Sequence, residues 1–165
     1  MRRVFSFPET VNEVSARLVA GGVVIITLLI VVGGQHWLLP LLAYGFVARA
    51  LSGPTLSPLG QFVTRVVTPA LPFEPKIVPG PPKRFAQAIG ATLSVSALIA
   101  YYVIGSTTAT LVLISMITIA ASLESFLGYC LGCQIFGLLM KAGVISPEVC
   151  EACNNFSVSS VASSS

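Results

Sequence analysis

A chain of 165 residues that is 55% hydrophobic and only 9% charged, with a mean hydropathy of +0.90, does not suit water, since a soluble domain carries about 25% charged residues. The formal charge of +3 is modest, and nothing in the sequence points to nucleic acid. Composition therefore predicts an all-α integral membrane protein, built from apolar runs of the length that crosses a hydrocarbon core as a helix.

Residues 1–13 read as a short polar arm, with Asn12 placed to cap the first helix. The first span is expected from about Val14 to Val32, dense in Val, Ile and Leu, with Gly21-Gly22 permitting close helix contact. It is too long for a signal peptide, and further spans follow instead of a cleavage site. Gly33-Gly34-Gln35 turns the chain, and His36-Trp37 stands where an interfacial aromatic belt belongs. The second span, about Trp37 to Leu51, is short and has Pro40 near its start, where proline is tolerated. Residues 52–84 differ sharply: eight of the 11 prolines fall between Pro54 and Pro82, so this part cannot cross as a helix. Within it Leu59, Phe62, Val63, Val66 and Val67 recur at helical spacing, which predicts an interfacial amphipathic linker helix over 58–68. An extended, polyproline-like connection is expected over 69–82. Lys83-Arg84 introduces a third span, about Phe85 to Ile104. A fourth covers about Ala109 to Tyr129, and the apolar pattern leaves two ends open for its helix, at Tyr129 or at Met140. Together these predict a four-helix transmembrane bundle over 1–140 and a Cys-containing tail over 141–165, whose Ser-rich end has the composition of disorder.

The basic residues give an orientation. All nine lie in the amino arm, the central linker, the tail or the adjoining span ends, and the turns at 33–36 and 105–108 carry none. The positive-inside rule then predicts a multi-pass protein of the inner membrane with both termini cytoplasmic.

That side is the reducing one, which gives the four cysteines their interest. Cys130, Cys133, Cys150 and Cys153 are spaced Cys-x2-Cys-x16-Cys-x2-Cys in the last 36 residues. Two readings stay open. Four thiolates at this spacing suit a tetrahedral zinc site, with Gly132 letting the backbone bend; an iron–sulfur cluster would take the same ligands without specific support from the spacing. Alternatively each pair is a redox dithiol, Cys130 and Cys133 first. Ser146-Pro147 is a strong helix start that would put Cys150 in a first turn, where the dipole lowers a thiol pKa, although Glu148 and Glu151 oppose this.

Glu124 lies inside the last apolar run, where an unpaired carboxylate costs several kcal/mol. Arg49 and Arg84 are expected at its depth, so a structural ion pair is the plain reading. A proton relay to Cys130, six residues on, is the sharper one. His36, the only histidine, falls on the far side and reads as an interfacial residue.

Three ordered motifs carry a resemblance: Arg49-Ala50-Leu51-Ser52-Gly53-Pro54 with Ser57-Pro58, then Pro82-Lys83-Arg84-Phe85-Ala86, then Leu123-Glu124 leading to Cys130-Leu131-Gly132-Cys133. Over roughly residues 12–140 the chain resembles a bacterial family of small four-span membrane proteins classed as a domain of unknown function, with Cys-x-Gly-Cys after the last span. The resemblance implies company with thioredoxin-like and rhodanese-like proteins, hence redox or sulfur handling. It also implies that Arg49, Lys83 and Arg84 converge with Glu124 around the first cysteine pair, a basic rim for a small anion or an acidic partner. The alternative is a non-catalytic accessory subunit of a larger membrane complex, its tail clipped by zinc.

Overall fold

The computed structural model describes residues 10–146, and the second cysteine pair and the Ser146-Pro147 helix start therefore lie outside or at the edge of what it describes. The chain is an all-α membrane bundle. Its long helices are α1 (Glu13–Val31), α2 (Leu39–Ser52), α4 (Gly80–Tyr102) and α5 (Thr107–Ser122), with a short α3 (Pro58–Phe62) between the two hairpins and α6 (Leu131–Lys141) after them. A wide π turn, Leu123–Leu127, prolongs α5. Among the described residues three helices are long and apolar enough to cross a bilayer: Glu13–Val31, Gly80–Tyr102 and Thr107–Leu127. The second expected span is the 14-residue α2, which at 1.5 Å per residue is only about 21 Å long.

The bundle closes because α4 packs between α2 and α5, and α5 returns against α1. Its core joins Val23 and Ile30 of α1, Leu39, Leu42 and Phe46 of α2, Ala97 of α4, and Ile114 and Ile117 of α5. Helices approach closely where a side chain is missing: a Cβ at Gly90 would lie 2.3 Å from the Phe46 ring, and one at Gly21 3.1 Å from Ser125 Oγ. Buried hydroxyls bond to carbonyls of their own helices, as Thr27 to Val24 at 3.0 Å and Ser52 to Ala48 at 2.8 Å, because lipid offers them no partner. Large apolar side chains such as Ile25, Val112 and Ile119 point outward, the surface expected of helices solvated by lipid.

The proline-rich region departs from the expected extended run. Ile77–Pro79 forms a short strand β2, paired antiparallel with β1 (Thr10–Asn12) of the amino arm. Glu13 N–H continues the ladder to the Lys76 carbonyl at 2.7 Å, and the two side chains form an ion pair at 2.8 Å. Pro81 and Pro82 already belong to α4, which starts five residues earlier than the apolar pattern suggests. The first turn tolerates them because its N–H groups have no intrahelical acceptor. The linker helix also divides its apolar stripe. Leu59 fills the space over Gly22 and Val63 is buried, whereas Phe62 and Val66 are exposed.

The last helix does not run on to Met140. Gly128, at φ 68°, takes the left-handed conformation that ends the α5 segment, and its N–H returns to the Glu124 carbonyl at 3.0 Å. A new helix, α6, starts at Cys130.

Candidate functional site

Three local devices bring the charged residues to one end of the bundle. The first is the end of α2. Gly53, at φ 66°, adopts a backbone that suits glycine, so the chain leaves α2 abruptly after Ser52. Four residues on, Ser57 caps α3 by accepting the Gly60 N–H at 3.2 Å. The same hydroxyl accepts from Arg49 Nη1 at 3.2 Å. The Arg49…Ser52-Gly53-Pro54…Ser57-Pro58 pattern is therefore one unit: a helix stop, a tight turn and a cap that doubles as an acceptor. Arg49 is 5% exposed, donates through Nε to Gln87 Oε1 at 3.0 Å, and stacks 4.8 Å from the centre of the Phe46 ring.

The second device is the π turn. It wraps against α1, where Arg17 donates to the Ser125 and Phe126 carbonyls at 3.3 and 3.0 Å, supplying partners to carbonyls that a helix end leaves exposed. Within it Glu124 meets Lys83 of α4, Oε1 to Nζ at 2.5 Å, with the Lys83 residue 7% exposed. The partner of Glu124 is thus Lys83. Arg49 faces it at longer range, and Arg84 turns to the Ala50 carbonyl on α2 at 3.0 Å.

The third device is the start of α6. Cys130 is its N-cap, and its Sγ accepts the Cys133 N–H at 3.4 Å. Gly132 does not bend the chain as a knuckle; it is helical and buried. A Cβ there would lie 2.4 Å from Ala86 Cβ and 2.5 Å from Ala86 Cα. The glycine lets the first turn of α6 sit directly on the backbone of α4. Phe136 then meets Phe85, ring centres 5.7 Å apart, so α6 runs back along the first turns of α4. Without this approach, Cys130 would not reach the Lys83–Glu124 pair.

Cys130 is buried and Cys133 half-buried, both as free thiols. The electrostatics separate them. A hydrogen bond from the Cys133 side chain holds Cys130 below the ordinary thiol value; Lys83 and the Cys133 N–H act in the same direction, against burial and Glu124. Cys133 is pushed up, by its hydrogen bond to Cys130, by burial and by the neighbouring sulfur. The arrangement suits a pair in which Cys130 is the thiolate.

Two cavities meet at this pair. An inner one of about 250 Å3 lies among the helices; Phe46, Gly90 and Ile117 help line it, and Arg49, Gln87, Glu124 and Cys130 supply its polar lining. An outer cleft of about 560 Å3 is lined by Pro79, Lys83, Cys130, Cys133, Gln134 and Lys141, among others. Cys130 borders both and Cys133 only the cleft.

Among the described residues no group of three or more metal-ligating side chains occurs; Cys150 and Cys153, half of the four-thiolate set, lie outside them. His36 sits at the opposite end of the bundle, stacked on Tyr101 with ring centres 4.5 Å apart. Gln87 and Arg17 escape a reading of the sequence, because an uncharged amide and a single arginine near a span end carry no spacing signal. The break at Gly128, by contrast, has one: a glycine after a helical run is a common helix stop.

The family model described as Domain of unknown function (DUF4395) matches residues 11–141. No curated protein and no solved structure matches the chain significantly.

Proposed function

The chain belongs to that family, and we propose that it is a membrane-embedded thiol relay, in which Cys130 and Cys133 exchange electrons or sulfane sulfur with a soluble thioredoxin-like or rhodanese-like partner at the basic end of the bundle. By the positive-inside rule this is the cytoplasmic end of a four-span protein. The observation that carries the reading is the position of Cys130: an N-cap sulfur on α6, hydrogen-bonded by Cys133 and next to a buried lysine.

The chemistry follows from the asymmetry of the pair. In the oxidised form a partner thiolate at the outer cleft attacks Cys133 Sγ. The Cys130–Cys133 bond breaks, and Cys130 departs as the thiolate, because the sulfur of lower pKa is the better leaving group. The partner's second thiolate then displaces Cys133, leaving the partner as a disulfide and the pair as a dithiol. A persulfide donor enters the reduced pair at the same place. Its outer sulfur passes to Cys130, the thiolate of the pair, which also borders the cleft; attack by Cys133 on Cys130 Sγ then expels it as hydrosulfide and forms the disulfide. Lys83 and Lys141 line the cleft and favour an acidic or anionic visitor.

The test is a combined thiol count, redox titration and metal analysis on protein purified without reductant. The relay predicts that Cys130 and Cys133 titrate together as a two-electron couple, and that Cys130→Ser abolishes exchange while the protein remains folded. Normal exchange in that variant, or about one tightly held zinc per chain with no titratable dithiol, overturns it.

A further inference from the structure

The relay needs a second terminus for its electrons, and the inner cavity has the character of one. It is bounded by α1, α2, α4, α5 and the start of α6. The most exposed members of its lining, Met116 at 51%, Ile135 at 45% and Leu131 at 38%, are all apolar, so the approach to it is through lipid and not through water. Its volume of about 250 Å3 exceeds the roughly 150 Å3 of a dry cavity that accepts benzene, which suits one substituted six-membered ring whose tail leaves by the apolar mouth. Its polar lining consists of Arg49 and Gln87, which carry N–H donors, together with Glu124 and Cys130. Arg49 is held in place by Ser57, Gln87 and the Phe46 ring. N–H donors match the oxygens of a carbonyl-bearing ring, whereas an acyl chain has no use for them.

We propose that this cavity binds the ring of a lipid-soluble quinone, and that the quinone oxidises the Cys130–Cys133 pair from the membrane side. The inference rests on the relay reading above and adds its electron acceptor. The step balances. An S–S bond forms between Cys130 and Cys133, the two thiols lose two electrons and two protons, and the two quinone oxygens become the hydroxyls of a quinol. The partner dithiol then reduces the disulfide through Cys133 from the cleft. Cys130 borders both spaces and Cys133 only the outer one, so membrane oxidant and soluble reductant use different sides of one dithiol.

The experiment uses the full chain, reduced, freed of reductant and kept anaerobic in lipid nanodiscs. In one arm glutathione disulfide is added and thiols are counted; in the other, a decyl-tailed, fully substituted benzoquinone is added and quinol is followed by absorbance. One quinol per Cys130–Cys133 pair, absent in Cys130→Ser, is the expected result. Disulfide exchange without quinol formation overturns the quinone site and leaves the relay standing; failure of both arms overturns both. Ala120 lines the cavity, and Ala120→Phe is expected to slow quinone reduction about a hundredfold by displacing the ring. Undiminished reduction in that folded variant places the reaction elsewhere and ends the proposal. A photoreactive quinone analogue applied to the unmodified chain gives an answer that does not depend on the variant folding. Labelling of the 116–120 segment supports the cavity, whereas labelling confined to other segments, or binding of phospholipid acyl chains with no displacement by quinone, overturns it.

Discussion

The two ends of the bundle are made from the same four helices by opposite means. At one, the turns Gly33–Gln35 and Val103–Gly105 carry no charge; His36 stacks on Tyr101, and Trp37 Nε1 donates to Gln35 Oε1 at 2.8 Å. At the other, Arg49 and Lys83 are buried, Glu124 lies beside them, α5 opens into a π turn, and a sixth helix starts on the backbone of α4. Burial of charge is costly wherever water is excluded, and wide helical turns recur at functional sites. The contrast teaches that the thiol end carries arrangements a simple helical hairpin does not need.

The comparison can be broken hardest at the ion pair. Glu124→Ala leaves Lys83 buried without its carboxylate and is expected to destabilise the fold by about 3–5 kcal/mol, measured by reversible unfolding in detergent. Replacing both partners, as Lys83→Met with Glu124→Leu, should recover most of that loss. If the single and double variants were equally unstable, the pair would not be what the charges are there to satisfy. Gly132→Ala comes next. Its methyl group must push α6 off Ala86, so a loss of about 1–3 kcal/mol is expected, together with slower alkylation of Cys130 as the sulfur moves away from Lys83. Unchanged stability and reactivity would show that the close approach is dispensable.

A smaller effect concerns pH. Cys130 is held below the ordinary thiol value, chiefly by the hydrogen bond from Cys133, so its alkylation rate, which follows the thiolate, should reach half its plateau at a lower pH than that of an ordinary exposed thiol. Glu124 raises the thiol, and Glu124→Gln should therefore move that midpoint further down; a shift upward contradicts the arrangement. At the quiet end, His36→Ala removes only the stack on Tyr101. The expected loss is about 0.5–1.5 kcal/mol, with thiol reactivity within about twofold of the unmodified chain. A large change in Cys130 chemistry from this distant site would mean that the two ends are coupled.

Much of this molecule is legible in order along the chain because hydrophobic runs, glycine stops and prolines act locally. The first helix, the cap at Asn12, the close contact at Gly21-Gly22 and the turn after Ser52 follow from residues within a few positions of one another. The uncharged character of one end and the basic character of the other are likewise written in the placement of nine cations. What distance in sequence hides is partnership. Glu124 can be recognised as needing a cation, but the two expected at its depth are Arg49 and Arg84, and only packing of α4 against α5 decides that Lys83 takes it while Arg49 turns to Gln87 and Ser57. Gly132 shows the same division. Its presence between two cysteines is evident at once, yet its reason is contact with Ala86, 46 positions earlier in the chain. Sequence determined that thiols, an acid and cations gather at one end of a greasy bundle, because each is set by local hydropathy and length. The tertiary structure decided which of them touch, because contacts between helices depend on rotation and approach, to which periodicity within one helix is blind.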